Sequence, residues 1–268
     1  FPAPTIQFNQ AALLCLAGAD FGAMLDDKSL AVHQPFVVLK GSVLFFTKWK
    51  TGSYAYLAVQ GGFVLDKWKE SYSTNLKVKA GGWQGRKLKK GDEIHLKTIL
   101  DKSQTMRILP WLADIRGLSS TREKIRIVLG NEWNWLSKTA QKTFIKKQFL
   151  ITKESDRMGY RLKGEKLSKQ IKEELISSAV SFGTLQLLPD GQVIILMADH
   201  QTTGGYPRIA HVISADRSAL AQLRPGETLS FEIVSLAVAE EAYLAQVRGL
   251  QQLVSGSRYQ LKANNLIA

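Results

Sequence analysis

Six apolar residues run without interruption from Val193 to Ala198, and five hydrogen-bonding side chains follow directly: Asp199, His200, Gln201, Thr202 and Thr203. Gly204, Gly205, Tyr206 and Pro207 come next. An apolar run of this length is too short for a buried helix. With turn formers on both sides it predicts a strand buried on both faces. Such a strand fixes the position of whatever follows it, and paired glycines let the backbone turn sharply or lie close to a ligand. Polar groups delivered to the rim of a rigid sheet are one way to build a site. The same residues also suit a polar loop that caps a barrel, with Asp199 and the threonines bonded to their own backbone. The pattern by itself leaves both readings open.

The chain has 268 residues, 45% of them hydrophobic and 22% charged, which are the values of one large or two modest globular domains. No apolar run approaches the length of a bilayer crossing, and no signal-peptide pattern is present. Residue 1 is Phe and lies close to what reads as a strand, so the first structural unit is expected to be N-terminally incomplete. The single cysteine, Cys15, sits in the apolar run 11–17; it excludes an internal disulfide and fits a reducing cytoplasm. Nothing near it would lower its pKa, so it reads as a buried spacer rather than a nucleophile. Four scattered histidines signal no metal site. The net charge of +13 raises the question of nucleic acid. However, the lysines alternate with apolar residues as on the solvent face of strands, and no nucleic-acid motif accompanies them. A solvated basic surface is the first explanation, and an acidic partner or anionic ligand the second.

Along the chain, short apolar or alternating segments predict strands at 5–8, 13–17, 37–39, 43–47, 54–59, 72–76 and 88–96, with a hairpin turn at 24–28. Further strands are expected at 125–129, 149–152, 184–188 and 211–214, and a turn and strand over 224–231. Residues 101–124, with Pro110, Gly117 and a Ser-Ser-Thr run, read as a connector. Ser137 is placed to cap a helix carrying Ala140 and Phe144, and Asp216 to cap a short helix over 217–223. A helical turn is expected within 168–177, a helix over 237–253, and a tail after it. Strands this closely spaced, broken by glycine turns, indicate a β-barrel or sandwich. A buried strand running into Gly-Gly-aromatic is expected at 56–63 and again at 193–206. Leu-x-x-Gly-acidic-x-aliphatic occurs at 88–94, with a similar closing turn at 223–229. This order suggests two related β-units in tandem.

Several other clusters hold chemistry. Ser155-Asp-Arg-Met-Gly-Tyr-Arg161 packs Asp156, Arg157 and Arg161 around a glycine. Either arginine could take a carboxylate or phosphate with its planar fork, while composition alone points to an internal Asp156–arginine ion pair holding a turn. Asp20, in Gly18-Ala-Asp-Phe-Gly22, suits a site loop or a tight turn bonded to its own backbone. Gly81-Gly-Trp-Gln-Gly-Arg86 could cradle phosphate through backbone N–H groups, but it lacks the Lys-Ser/Thr ending and following helix of a P-loop.

Taken together, the segments beginning at Gly18, Tyr56, Ser155, Ala198, Val212 and Leu220 closely resemble the family of 5-oxoprolinase C subunits. That family is also called allophanate hydrolase subunit 2, or the biotin-dependent carboxyltransferase-like domain. The likeness runs in order from about Leu13 to Leu236. It implies a mainly β chain: a tandem of two cyclophilin-like β-barrel units with a few short helices and a C-terminal helix. On that basis residues 1–104 form the first barrel, 105–124 the connector, 125–236 the second barrel, and 237–268 the C-terminal helix and tail.

The resemblance further implies an ATP-dependent enzyme, with Mg, that opens 5-oxoproline to glutamate together with two companions, a Kip inhibitor-like B subunit and an A subunit. It assigns Asp199, Gln201, Thr202, Thr203 and Tyr206 to substrate contacts. Arg157 and Arg161 are assigned to anion binding, with Asp156, Asp20, Gly204 and Gly205 beside them. Two alternatives come from the same family. One is the carboxyltransferase component of a biotin-dependent urea or amide carboxylase; the other is a non-catalytic antagonist that binds a kinase inhibitor of the B-subunit type. The chain departs from the family at Glu70-Ser-Tyr-Ser-Thr74, where Gly-Ser-Arg-Ser-Thr is usual, and at His200, where arginine is common.

Overall fold

A computed structural model describes residues 3–98, 100, 105–115, 124–171, 173 and 175–267. The chain divides into two compact units. The first comprises Phe1–Thr51, Ala55–Ala113 and Lys262–Ala268, and the second Gly52–Tyr54 and Asp114–Leu261. The described residues are mainly β, with three α-helices.

Eight strands begin the chain: β1 (Ile6–Gln7), β2 (Ala12–Asp20), β3 (Ala23–Leu25), β4 (Lys28–Ser29), β5 (Pro35–Val38), β6 (Val43–Phe46), β7 (Thr51–Val59) and β8 (Arg107–Ile108). They form two four-stranded sheets, ordered β1-β6-β3-β4 and β7-β2-β5-β8. Leu14, Leu16, Leu25, Phe36, Val38 and Leu44 fill the core of this unit. The hairpin expected at 24–28 is present. Asp26 takes a positive φ of 53° in the turn, and its carboxylate accepts from the Val43 N–H at 2.8 Å. Cys15 lies within β2, where burial pushes its thiol up to about 11, so it stays protonated and unreactive.

Several sequence expectations give way here. The strand at 54–59 belongs to an edge strand, not a buried one, and Tyr56 is 62% exposed. Residues 72–76 and 88–96 are not strands: they make isolated bridges, Asn75↔Ala80 and Phe63↔Leu96. Leu76 and Leu88 are themselves exposed, so at those positions the alternation has no buried face to template a sheet, while Leu96 packs against the core of this unit. Of the expected connector, 101–104 and 116–123 lie outside the described residues. Within it β8 pairs with β5, Phe36 opposite Ile108.

The second unit holds β9 (Lys124–Leu129), β10 (Phe149–Ile151), β11 (Gly159–Lys163), β12 (Ser178–Ala179), β13 (Thr184–Leu187), β14 (Val193–Leu196), β15 (Thr203–Gly204), β16 (Arg208–Val212) and β17 (Thr228–Ile233). Seven of them close a barrel in the order β10-β11-β14-β13-β16-β9-β17, while β12 and β15 form a separate ribbon. Every neighbouring pair is antiparallel except β9 and β17, which run parallel and complete the ring. Helix α1 (Lys138–Lys146) is capped as expected, Ser137 Oγ accepting from the Ala140 N–H at 3.1 Å. Its Phe144 stacks on Phe231 of β17 with ring centroids 4.7 Å apart. Burying both rings fully ties the helix to the barrel wall.

Helix α2 (Arg217–Ala221) is shorter than expected, and Asp216 does not cap it with its side chain. The carboxylate is buried instead and turns to β9. It accepts from the Arg126 backbone N–H at 2.8 Å and from Arg126 Nη2 at 2.7 Å. A buried carboxylate needs a cation more than a helix N-terminus needs a cap, because desolvating an unpaired charge costs far more. The described residues of 168–177 contain no helix. At the C-terminus the expected tail is helical: α3 spans Leu236–Ala263. None of the described helices is long and apolar enough to cross a membrane.

Candidate functional site

The apolar run at 193–198 becomes β14, paired with β11 and β13 near the middle of the barrel sequence. Val193, Ile195, Leu196 and Met197 are buried, and the chain turns outward at Ala198. Two backbone bonds carry the β11–β14 pairing past the strand ends: Met197 N–H to the Met158 carbonyl at 2.9 Å, and Asp199 N–H to the Arg157 carbonyl at 2.7 Å. The polar residues therefore start from a fixed point.

Across from them, Asp156 organises its own turn. Its Oδ1 accepts from the backbone N–H of Met158 at 2.8 Å and of Gly159 at 3.2 Å. This side chain holds the turn by those bonds. The ion pair expected within 155–161 runs instead across the strands. Arg157 Nε donates to Asp199 Oδ2 at 2.8 Å and Nη2 to Oδ1 at 3.0 Å. Arg161 sits further along β11 opposite Ile194, exposed on the outer side of the barrel. Asp20 belongs to the first unit, where its carboxylate accepts from the Gly22 N–H at 2.8 Å and pairs with Lys50 at 3.1 Å.

Beyond Asp199 the loop is pinned again. Thr203 and Gly204 pair with β12, and the Thr202 carbonyl accepts from the Val180 N–H at 3.1 Å. Thr203, Gly204, Gly205 and Tyr206 line a cleft of about 1000 Å³ together with Lys166, Lys169, Glu173 and Asp190; Lys169 Nζ donates to the Glu173 carbonyl at 2.9 Å. Asp199, Gln201, Thr202, Arg157 and Arg161 are not among its lining residues. The structure thus separates the expected site residues into two neighbouring groups, an ion-paired clasp at the exit of β14 and a hydroxyl- and amide-rich cleft wall.

Several residues that support this arrangement escaped the sequence reading. Gln186 is 1% exposed, and its Nε2 donates to the Tyr206 carbonyl at 3.3 Å. A Cβ at position 204 would stand 2.7 Å from that same nitrogen, so glycine is needed for the loop to close over the amide. Arg208 holds the far end of the loop. Its Nε and Nη2 donate to the buried Glu132 carboxylate at 2.9 and 2.8 Å, and Nη1 to the Ala179 carbonyl of β12 at 3.3 Å. The guanidinium keeps the Glu132 carboxyl below its usual range. Next to Arg208's strand neighbours, His211 Nδ1 lies 3.1 Å from Thr184 Oγ1. Burial lowers the His211 pKa, and the positive charge of Arg208 adds to this, so the ring is held neutral.

The glycine-rich turn at 81–86 has a structural explanation. A Cβ at Gly85 would fall 2.0 Å from the Lys79 carbonyl oxygen, and one at Gly82 would fall 2.7 Å from the Thr74 nitrogen. Arg86 is committed to Asp92 through two bonds of 2.7 and 2.8 Å. Close backbone approach requires these glycines, which accounts for the turn without a ligand.

The cleft offers hydroxyl, amide and ammonium donors on a rigid frame, with no activated nucleophile. With two lysines and two carboxylate residues in its lining, it suits a small polar molecule.

Comparison with known proteins agrees with this architecture. The family model of the carboxyltransferase domain, subdomain A and B, matches residues 1–233, ending at the last residue of β17. The 5-oxoprolinase C subunit of Haemophilus influenzae is 42% identical over 250 residues, covering 91% of this chain and 78% of that protein. Its counterpart in Escherichia coli is 35% identical, covering 93% and 78%. The crystal structure of Kluyveromyces lactis urea amidolyase superposes with a TM-score of 0.83 at 24% identity, over 93% of this chain and 16% of that one. The urea amidolyase of Saccharomyces cerevisiae is 27% identical, over 85% and 13%. This chain belongs to the carboxyltransferase domain family, and among its relatives are two bacterial 5-oxoprolinase C subunits.

Proposed function

We propose that the chain is the C subunit of an ATP-dependent 5-oxoprolinase, which opens 5-oxoproline to glutamate together with the B and A subunits in the cytoplasm and is inactive alone. The observation that carries this reading is the 42% identity to a 5-oxoprolinase C subunit, extending across 91% of the chain. The cleft beside Thr203–Tyr206 supports it from the side of geometry.

The lactam of 5-oxoproline is resonance-stabilised. Transfer of the γ-phosphoryl group of ATP to its carbonyl oxygen, with release of ADP, removes that resonance; water then adds to the same carbon, the C–N bond breaks as the ring nitrogen takes a proton and leaves as the amine, and the acyl phosphate so formed is hydrolysed by a second water to glutamate and phosphate. In this proposal ATP and Mg are held by the assembled complex. No step is assigned to the 81–86 turn. What this chain does is bind and orient. The hydroxyls of Thr203 and Tyr206 and the backbone of Gly204–Gly205 face the lactam, where donors stabilise negative charge on the carbonyl oxygen. Lys166 and Lys169 attract the carboxylate. The Arg157–Asp199 clasp fixes the start of the loop, and Gln201 and Thr202 extend from it toward the companion protein.

A second reading, the carboxyltransferase part of a biotin-dependent urea carboxylase, draws on the urea amidolyase relatives. The non-catalytic antagonist of the B subunit is the third. One reconstitution separates them. With the A and B subunits added, the expected result is release of ADP and glutamate that depends on 5-oxoproline and stops when this chain is omitted. Carboxyl transfer from carboxybiotin to urea would overturn the leading reading in favour of the second. An intact complex with no turnover of lactam or urea would leave the antagonist.

A further inference from the structure

Helix α3 has 28 residues, about 42 Å at the ordinary rise, and none of them is buried. A helix draws most of its stability from packing an apolar face, so a long one that buries nothing lacks part of its support. Its exposed apolar groups are ordered. From Leu236 a stripe recurs at alternating steps of four and three residues. Tyr243, Val247, Leu250, Val254 and Leu261 fill its other apolar positions, and Glu240 and Ser257 are its two polar ones. Leu236, Tyr243, Leu250 and Val254 are each at least 48% exposed, while Val247 and Leu261 are half-buried. Steps of four and three keep side chains in line along one face, the seam on which two helices supercoil. Val238, Leu244 and Tyr259 are exposed too, but they stand off this line. Ala239, Ala242, Gln246 and Leu253 run beside the stripe and are half-buried, and Gln246 Nε2 donates to the Ala215 carbonyl at 3.3 Å. One side of the helix is thus tied to its own unit, and the stripe lies next to it.

The charges of α3 are asymmetric along its length. Glu240 and Glu241 are its acidic residues and lie near its start, whereas Arg248, Arg258 and Lys262 lie from its middle to its end. This makes the helix complementary to itself in one direction only. Against a second copy running the same way, Glu240 would meet Glu240, two carboxylates in one desolvated layer of the seam. Against a copy running the opposite way, with Val247 opposite Leu250, Val254 falls opposite Tyr243 and Leu261 opposite Leu236. Glu240 then falls opposite Ser257, so the two polar positions coincide and every other layer is apolar on both sides. Arg258 stands beside Glu240 and Glu241 of the other copy, and the two helix dipoles are opposed.

We propose that α3 pairs with α3 of a second copy of this chain, antiparallel, through the stripe from Leu236 to Leu261; this does not depend on the function proposed above. The apolar layers supply the affinity. The Glu–Arg pairs at the rim add little energy and fix the direction. A lipid surface is the poorer match for the same stripe. A helix that lies on a membrane carries a strongly basic polar face, and α3 sets two acidic residues against three basic ones.

Sedimentation velocity on the full chain between about 1 and 100 µM tests this. The wild type should sediment as a dimer at the upper concentrations. Leu250→Asp with Val254→Asp should raise the dimer dissociation constant at least tenfold while the thermal transition of the fold, followed by circular dichroism, is retained. Arg258→Glu alone should weaken the dimer, and so should Glu240→Lys with Glu241→Lys. The three charge reversals together should restore it. Glu241 and Arg258 are about five turns apart along one helix, so opposite charges can meet again only between two antiparallel copies. A wild type that stays monomeric throughout, or a dimer indifferent to the 250/254 pair, overturns the proposal. Dimerisation that the combined charge reversal does not restore overturns the antiparallel direction. A monomer that binds an added B subunit through the stripe, and loses it in the 250/254 pair, gives the face to that partner and overturns the self-pairing. Each of these results leaves the proposed function standing.

Discussion

Arg157 and Asp199 face each other just beyond the ends of two adjacent strands and close a fork of two hydrogen bonds, 2.8 and 3.0 Å long, at the point where the barrel delivers its polar loop. Both side chains are well exposed, at 63% and 47%. Water screens such a pair, so its contribution to folding is at most about 1 kcal/mol. Its value is in holding the loop. Asp199→Ala and Arg157→Ala should each melt within a few degrees of the wild type yet lower turnover by the reconstituted complex about 10- to 100-fold, as misplaced positioning groups do. Arg157→Lys should rescue little, because an ammonium cannot form the fork. If both alanine variants turn over 5-oxoproline normally, the clasp has no part in the reaction.

The contact between Gly204 and Gln186 lends itself to a double-mutant cycle. Gly204→Ala puts a methyl 2.7 Å from the amide nitrogen and forces it off the Tyr206 carbonyl. Gln186→Ala leaves that carbonyl without its amide partner, at a cost of about 1–3 kcal/mol. In urea denaturation the double variant should lose less than the sum of the two single losses, since the clash needs both partners. Strict additivity would mean the two residues do not interact.

Asp216 distinguishes a cap from a buried ion pair by magnitude. Loss of a helix cap costs about 1 kcal/mol. Breaking a buried pair and stranding its partner costs about 3–5 kcal/mol. Because Asp216 is 1% exposed and bonded to both the backbone and the guanidinium of Arg126, Asp216→Ala should fall in the larger range by equilibrium denaturation. A loss near 1 kcal/mol would restore the capping role expected from sequence.

His211 makes stability depend on pH in a definite direction. Its folded pKa lies below the ordinary 6.5, chiefly through burial, so at mildly acidic pH the unfolded chain binds a proton the folded chain refuses. Stability should therefore decline as pH falls below about 6.5. His33, also lowered by burial, adds to the same trend. Urea midpoints between pH 7.5 and 5 should show a shallower slope for His211→Asn than for the wild type. An identical slope would remove His211 from the linkage.

How much of this was legible beforehand depended on whether a signal was local. The buried run of β14, the Ser137 cap and the turn at Asp26 were all readable, because each is decided by a few neighbouring residues. Gln186 was not. In Thr184-Leu-Gln-Leu187 the alternation reads as a half-exposed strand, yet all four residues are buried, since the structure covers the face that the pattern leaves polar. Asp216 was misread because Arg126 lies ninety residues away in sequence. The segments at 72–76 and 88–96 alternate like strands, but Tyr72, Leu76 and Leu88 stay exposed and only isolated bridges form. The cleft went unseen for the same reason, as Lys166 and Lys169 meet Thr203–Tyr206 only through the fold.

The parallel contact of β9 with β17 has a consequence for how the protein is made. Lys124 stands opposite Ser230, so the first staves of the barrel must wait for the last before the ring can shut. During synthesis the growing chain exposes two sticky sheet margins until Ile233 leaves the ribosome, and pairing over such a span is slow. Nascent or truncated chains that stop short of that residue should therefore clump rather than persist as smaller folded pieces, which makes chaperone supply a determinant of yield.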